Sequence, residues 1–327
     1  MRILKIVILS LFALIAIYFL GPKPSKPELN TVLPTVVSTS ALDQYITAME
    51  APHKIKPNNQ AKIIWADSSK TQTEYAIVYL HGFSASQKEG DPVHQNIAKQ
   101  FKCNLYLARL AEHGIDTTED LMNLTADSYW ESAKLAYAIG KQIGKKVILM
   151  GTSTGGTLAL YLAATYPEIA GLVLYSPNIE VFNPSAPLLN NPWGLQIGRA
   201  VLKSNYVDIK YKDSAYPNYW NKHYRIEAVV ALQNLLEATM TEATFKKIHQ
   251  PTLALYYYKD EAHQDNVVKV GAIQKMMQQI ATPSNLKLEM AVPNTGNHVL
   301  ASPIVSNDIV SVEQATAKFM KEVIIKE

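Results

Sequence analysis

The sequence has almost no cysteine: Cys103 is the only one among 327 residues. A single thiol excludes an intrachain disulfide framework and a zinc site built on cysteines. The eight histidines offer no pair at a convincing metal-ligand spacing. We therefore expect no bound metal, and no feature of the sequence indicates an organic cofactor.

An excess of one charge is also lacking. Lys and Arg number 31 against 28 for Asp and Glu, a net charge of +3, and no dense basic cluster occurs. A nucleic-acid-binding domain normally presents a basic face or stripe. We therefore expect no nucleic-acid partner, and no obligate protein partner is evident. The 48% hydrophobic content suffices for the core of one large α/β domain.

Long hydrophobic runs are absent except at the amino terminus. Residues 6–20 are almost entirely apolar and follow Arg2 and Lys5. This pattern predicts that residues 1–21 are a membrane segment, either an uncleaved signal anchor or a cleaved signal peptide. The lack of a small-x-small site before Gly21 favours the anchor. The positive-inside rule then places the rest of the chain on the non-cytoplasmic side (the periplasm in a bacterium), and cleavage would make it secreted.

The remaining chain divides by its pattern of residues. Prolines in residues 22–60 predict a stiff tether with one short helix. From Lys62 onward, short β-rich runs alternate with helical ones, which predicts an α/β fold with a doubly wound, mostly parallel sheet. The core is expected in residues 61–178 and 251–327, and residues 179–250, which contain no clear strand, are expected to form a cap. The predicted strands are 62–66, 75–80, 104–110, 146–150, 172–175, 252–257 and 286–291, and the predicted helices are 93–101, 127–143, 156–166, 267–280 and 312–325.

The strongest motif is Gly151-Thr152-Ser153-Thr154-Gly155, between an apolar strand and an amphipathic helix. This G-x-S-x-G pattern in that context indicates a tight turn that exposes a nucleophilic serine at a helix amino terminus. The alternative is an incidental turn before a helix. We predict that Ser153 is the nucleophile.

A nucleophilic serine needs a base, an acid that orients the base, and amides that stabilise an oxyanion. His298 follows the last predicted strand and is the only histidine after the candidate acids. Asp260 ends the strand before it and is the predicted acid, with Asp265 as the rival. The Gly82 turn after an apolar strand predicts that the Phe83 N–H is one oxyanion donor, and the Thr154 N–H is the other.

These stretches together resemble the α/β-hydrolase superfamily, within it the carboxylesterase, monoacylglycerol lipase and serine aminopeptidase-like group. The resemblance covers roughly residues 60–325. Its triad positions fall on Ser153, Asp260 and His298, and its oxyanion amides fall on Phe83 and Thr154. One departure is Leu110-Ala111-Glu112-His113-Gly114, where the group often has Pro-Gly-His-Gly. A second is the missing Gly-Gly-Gly loop of the hormone-sensitive-lipase branch. The matching stretches are 80–86, 109–114, Trp130, 151–155, Ser176-Pro177, 251–260 and Asn297-His298.

The resemblance implies a serine hydrolase that cleaves carboxylic esters, on a short- to medium-chain acyl ester or a monoglyceride-like substrate. In this group a cap insertion covers the acyl pocket, and cap aromatics facing the serine would favour an apolar acyl group. A peptidase or an acyltransferase on the same site is the alternative, and a catalytically dead, membrane-tethered binding protein is a weaker one. The cap aromatics are Tyr206, Tyr211, Tyr216, Tyr219, Trp220 and Tyr224.

Overall fold

A seven-stranded sheet runs through the computed structural model, which describes residues 2–326. Its spatial order is β1-β3-β2-β4-β5-β8-β11, with β1 antiparallel to β3 and every other pair parallel. The predicted α/β class with a mostly parallel sheet is therefore confirmed. The strands are β1 (Lys62–Ile64), β2 (Thr73–Leu80), β3 (Asn104–Leu107), β4 (Gly144–Thr152), β5 (Gly171–Tyr175), β6 (Tyr206–Asp208), β7 (His223–Arg225), β8 (Thr252–Tyr256), β9 (Tyr258–Asp260), β10 (His263–Gln264) and β11 (Lys287–Ala291).

Helices cover both faces of this sheet. Along β2, Val78 packs into the core beneath α4 and α5, whereas the next residue, Tyr79, packs beneath α3 and α11. Because both faces are buried, the central strands are continuous apolar runs rather than alternating ones. The helices are α1 (Arg2–Phe19), α2 (Leu42–Glu50), α3 (Val93–Gln100), α4 (Ala126–Ile143), α5 (Thr154–Thr165), α6 (Gly194–Leu202), α7 (Tyr216–Tyr219), α8 (Ile226–Thr239), α9 (Glu242–Phe245), α10 (Val270–Gln279) and α11 (Ile309–Phe319), with 3₁₀ turns at Thr39–Ala41, Gln87–Gly90, Ala186–Asn190 and Ser284–Leu286 and a π-helical turn at Met320–Ile325.

Residues 179–250 contribute no strand to the seven-stranded sheet. They hold α6 to α9 and a short antiparallel pair, β6 with β7, which the sequence does not predict. Another difference is α10, which begins at Val270 rather than at residue 267. It starts late because the amides of Val267 and Val268 donate hydrogen bonds to the side chain of Asp265 instead of entering the helix.

The amino-terminal part of the chain lies against the cap and α4. Most apolar side chains of α1 are exposed, and the Trp193 indole donates a hydrogen bond to the carbonyl of Ile17 at 3.1 Å. The tether that follows is held along α4, where Trp130 Nε1 donates to the carbonyl of Asn30 at 2.6 Å. Across residues 2–326, no helix combines the length and apolar character needed to cross a membrane. The N-terminal membrane segment predicted from the sequence is therefore not among the features that the structure shows.

Candidate active site

Ser153 occupies a sharp turn between β4 and α5. Its backbone has φ +54° and ψ −119°, a conformation that costs free energy for a residue with a Cβ and that occurs mainly at functional sites. The Ser153 N–H donates to the carbonyl of Tyr175 and the Ser153 carbonyl accepts the Asn178 N–H, both at 2.9 Å. A Cβ on Gly155 would overlap the carbonyl oxygen of Leu80, so glycine is required where α5 crosses the end of β2. The predicted strand, turn and helix are all present.

His298 and Asp265 form a buried pair beside this turn. His298 lies in the loop after β11, and its Nδ1 is 2.6 Å from Asp265 Oδ2. The other carboxyl oxygen of Asp265 accepts the N–H groups of Val267 and Val268 at 2.8 and 3.0 Å. Three hydrogen bonds therefore fix the carboxyl group, and the carboxyl group fixes the imidazole ring.

The structure corrects the prediction that Asp260 orients His298. The Asp260 side chain is 52% exposed, whereas the Asp265 side chain is fully buried. Asp260 Oδ1 accepts the N–H groups of Ala262 and His263 in the turn between β9 and β10, and it lies 2.8 Å from His263 Nδ1. This small hairpin lengthens the chain after β8, so the acid that reaches His298 comes five residues later.

Burial and charge act in opposite directions on the pair. Burial raises the pKa of Asp265, but the charge of His298 and the hydrogen bonds it receives outweigh burial, so the pKa is lowered. Burial lowers the pKa of His298. The charge of Asp265, the hydrogen bond to Asp265 and the charge of Glu89 raise this pKa by more than burial lowers it, so the net change is upward. As pH falls through this raised pKa, His298 gains a proton and can no longer act as a base.

The second ring nitrogen of His298 is available to a reacting group. His298 Nε2 is buried and has no hydrogen-bond partner within residues 2–326. Both His298 and Ser153 line one cavity of about 1010 Å³ beneath the cap. The serine and the unpartnered nitrogen thus open on the same space, in the chain order Ser…Asp…His of this kind of site.

The loop after β2 is fixed on both sides of Phe83. The Gly82 N–H donates to Glu89 Oε2 at 2.6 Å, and the Ser84 N–H donates to His113 Nε2 at 3.0 Å. The Ser84 carbonyl accepts the N–H of Asn221, a cap residue, at 2.7 Å. Within residues 2–326 the Phe83 N–H makes no hydrogen bond, so this amide is available to a ligand while its neighbours hold the loop in place.

Two histidines support this loop from below. His81 Nδ1 is 2.9 Å from the carbonyl of Gly82, and His81 Nε2 accepts the Leu110 N–H at 3.1 Å. Burial lowers the pKa of His81 to about 4 and the pKa of His113 well below its usual range, so both rings are neutral near pH 7. They act as hydrogen-bonded structural groups. Within residues 2–326, no group of three His, Cys, Asp or Glu residues could hold a metal ion.

The cavity wall is mixed: apolar residues, including part of the cap aromatics, share it with polar and charged residues such as Lys210, Lys212 and Asp213. The rings of Tyr216 and Trp220 are stacked, with centroids 4.7 Å apart, and the Tyr224 ring meets the Phe83 ring edge-on. Tyr206 instead stacks on His223, away from the serine. The apolar part of the wall suits an apolar acyl or alkyl group. The aromatic residues on the wall are Phe83, Tyr211, Tyr216, Trp220 and Tyr224, and the aliphatic ones include Val181, Ile209, Val229, Leu232, Val267, Val299, Ile304 and Val305.

The sheet order, the strained serine turn and the His–Asp pair define the class of the protein as an α/β-hydrolase. Solved structures with this fold include one from the work on LipS and LipT, two metagenome-derived lipolytic enzymes (16% identity, TM-score 0.66, 82% of this chain and 99% of that chain). Another is Est1E of Butyrivibrio proteoclasticus with ferulic acid bound, at 17% identity and a TM-score of 0.55 over 84% of this chain and 99% of that chain. A third is a soluble variant of the Saccharomyces cerevisiae monoglyceride lipase, at 12% identity and a TM-score of 0.54 over 92% of this chain and 99% of that chain.

A match of the amino-acid sequence to a family model identifies the family. The model of the serine aminopeptidase S33 family of hydrolases matches residues 125–301, more than half of the chain, and the chain belongs to that family. A thermostable monoacylglycerol lipase of Bacillus sp. (strain H-257) is 27% identical over 207 residues, which cover 63% of this chain and 76% of the lipase. These comparisons confirm the resemblance stated from the sequence and the enzyme class, carboxylic ester hydrolase.

Proposed function

We propose that the protein cleaves carboxylic esters through an acyl-enzyme on Ser153. His298 Nε2 takes the Ser153 proton as the oxygen attacks the acyl carbonyl carbon, and Asp265 stabilises the imidazolium that forms. The N–H groups of Phe83 and Thr154 stabilise the tetrahedral oxyanion. The bond to the alcohol then breaks as His298 returns the proton to the leaving oxygen. Water repeats the sequence on the acyl-enzyme and releases the acid.

One observation carries this proposal: the Asp265–His298 pair leaves a buried, unpartnered Nε2 that opens on the same cavity as a serine in a strained turn. The apolar part of the cavity wall supports an acyl ester of short to medium chain length or a monoglyceride-like substrate. The similarity to a monoacylglycerol lipase supports the same class.

The test is hydrolysis of nitrophenyl esters from acetate to laurate by the full chain and by Ser153→Ala. We expect the variant to lose at least about 10⁴-fold in kcat, because the residual catalysis that remains without the nucleophile is small. Ser69→Ala, in an exposed turn, is the control and should match wild type. A folded wild type that cleaves none of the esters, or a Ser153→Ala variant that cleaves them equally well, would contradict the proposal.

A peptidase remains the second candidate because the family model describes serine aminopeptidases. The same nucleophile, base and oxyanion donors could cleave an amide, with an amine in place of the alcohol. Parallel assays on amino-acyl nitroanilides and on the ester series separate the two activities. Turnover of the anilides above that of every ester would favour the peptidase.

We also propose that α1 associates with a lipid surface and that the rest of the chain lies on the non-cytoplasmic side. The exposed apolar side chains along α1 support the lipid association, because burying them in lipid is favourable. Arg2 and Lys5, which lie at the start of α1, support the proposed side of the membrane. The full chain should float with phosphatidylcholine vesicles in a density gradient, whereas residues 22–327 should stay at the bottom. If both proteins floated equally, or if neither floated, the proposed association of α1 with lipid would be contradicted.

A further inference from the structure

Glu89 is a buried carboxyl group that the serine mechanism does not use. It lies in the 3₁₀ turn Gln87–Gly90, is 2% exposed, and lines the same cavity as Ser153 and His298. An ionised carboxylate there would oppose the negative charge that develops on the acyl oxygen. Its presence next to the serine therefore requires an explanation.

Glu89 contacts the backbone on which the oxyanion donor lies. Its Oε2 accepts the Gly82 N–H at 2.6 Å. A Cβ placed on Gly82 would lie 2.9 Å from Glu89 Oε1 and 3.0 Å from Ser153 Cβ, so the Gly82 Cα fits between the carboxyl group and the nucleophile. A larger residue at position 82 would separate the two groups.

Glu89 is also connected to the strand that carries the serine. The carboxyl group faces the side chains of Tyr79 and Trp220. The Tyr79 hydroxyl is 2.9 Å from Thr152 Oγ1, and Thr152 immediately precedes the serine. The carboxyl group thus binds the oxyanion loop directly, faces the cap at Trp220, and is linked to the end of β4 through Tyr79.

We propose that Glu89 is a positioning residue for the oxyanion hole: by binding the Gly82 amide it holds the loop so that the Phe83 N–H faces the acyl carbonyl at Ser153. This inference rests on the proposed serine mechanism. His113 binds the Ser84 amide on the other side, so two buried side chains fix the peptide groups that flank Phe83.

The carboxyl group can accept the Gly82 N–H in either charge state, and its charge state affects His298. Burial raises the pKa of Glu89 to about 7, although the Gly82 N–H and the charge of His298 act against burial. A protonated Glu89 accepts the amide hydrogen bond and places no charge beside the oxyanion. Once ionised, it raises the pKa of His298 and repels the oxyanion.

The ion pair Lys88–Asp91 flanks Glu89, and Lys210, Lys212 and Asp213 line the same cavity. The buried tyrosines and the second histidine near Glu89 stay uncharged near neutral pH. Burial raises the pKa of Tyr79 and Tyr129 well above the usual range and the pKa of Tyr216 to about 12. Burial lowers the pKa of His94, whose ring packs against Tyr79, to about 4. His298 is therefore the facing group that titrates together with Glu89.

The test measures how fast a fluorophosphonate phosphonylates Ser153, between pH 5 and 9, in the full chain. This reaction also uses His298 and the oxyanion hole but needs no ester substrate. The variants are Glu89→Gln, which is neutral and keeps an acceptor for the Gly82 amide, and Glu89→Ala, which removes the acceptor. The control is Gln87→Ala, which deletes a buried hydrogen bond to the Asn58 carbonyl from the same 3₁₀ turn. Circular dichroism and thermal unfolding check that each variant is folded.

We expect Glu89→Ala to slow phosphonylation about 10²-fold, the usual cost of a lost oxyanion donor, and Gln87→Ala to stay within threefold of wild type. Glu89→Gln should restore the rate to within threefold. Its acidic inflection should move to lower pH, because the charge that raises the pKa of His298 is gone. Three results would overturn the inference. The first is a wild-type rate in Glu89→Ala, and the second is an equal loss in Glu89→Ala and Gln87→Ala. The third is a Glu89→Gln variant that neither restores the rate nor moves the acidic inflection. Labelling of a wild type that cleaves no ester would refute the substrate class alone, whereas an unlabelled wild type would refute both proposals.

Discussion

Asp265→Asn is expected to lower kcat on the best nitrophenyl ester about 10⁴-fold. The reason is the hydrogen bonds around the carboxyl group. Oδ1 already accepts the amides of Val267 and Val268, so an asparagine would keep its oxygen there and turn its NH₂ toward His298. His298 Nδ1 would then become the acceptor and Nε2 would carry the proton. A ring in that tautomer cannot accept the proton of Ser153.

Asp260→Asn is the matched control and should keep kcat within twofold of wild type. Its side chain is half exposed and binds only its own turn and His263. Steady-state kinetics on purified full-length variants, with circular dichroism to check folding, separates the two aspartates. A large loss in Asp260→Asn with an active Asp265→Asn would refute our assignment of the acid.

Gly155→Ala is expected to lower the free energy of unfolding by about 3 kcal/mol and to abolish ester cleavage. The added methyl group would overlap the carbonyl of Leu80, which is backbone and cannot rotate away as a side chain can. Relief therefore requires α5 to shift from the end of β2. Such a shift moves the Thr154 N–H, the second proposed oxyanion donor, relative to the Phe83 N–H. Urea unfolding followed by tryptophan fluorescence measures the loss in stability.

Gly271→Ala is the control for this substitution. Gly271 lies in α10, and a Cβ placed there would meet no atom within 4 Å. Alanine restricts the unfolded chain at such a site, so stability should rise by about 0.4–1 kcal/mol. If Gly155→Ala were as stable as Gly271→Ala, close packing at the serine turn would not be the reason for its glycine.

The serine turn and the position of His298 could be predicted because each depends on a short stretch of chain. The G-x-S-x-G pattern lies directly between its strand and helix, and His298 follows the last strand. The acid could not be placed by the same rule, since the β9–β10 hairpin intervenes between β8 and Asp265. A weak local signal existed: Asp260 stands between the charged Lys259 and Glu261, as in an exposed turn, whereas Asp265 is followed, one residue later, by the two valines Val267 and Val268.

Glu89 could not be found from the sequence. Residues 87–91 include Lys88, Glu89 and Asp91, a composition typical of a solvated loop. The carboxyl group faces Trp220, which is 131 positions later in the chain and which the fold of the cap brings next to it. Contacts of that separation leave no periodic pattern near either residue.

The hydrogen bond between the Asn221 N–H and the Ser84 carbonyl couples the cap to the oxyanion loop, so a change of the whole cap also affects the catalytic groups. Lys56 Nζ donates to the Asn221 side chain at 2.6 Å, so the tether, the cap and the oxyanion loop meet at this residue. Grafting a cap from a relative would therefore change catalytic efficiency together with selectivity, unless position 221 kept a backbone N–H for the Ser84 carbonyl and a side-chain acceptor for Lys56. New specificities should be reached more readily by single changes on the wall around Leu232 than by exchange of the cap as a whole.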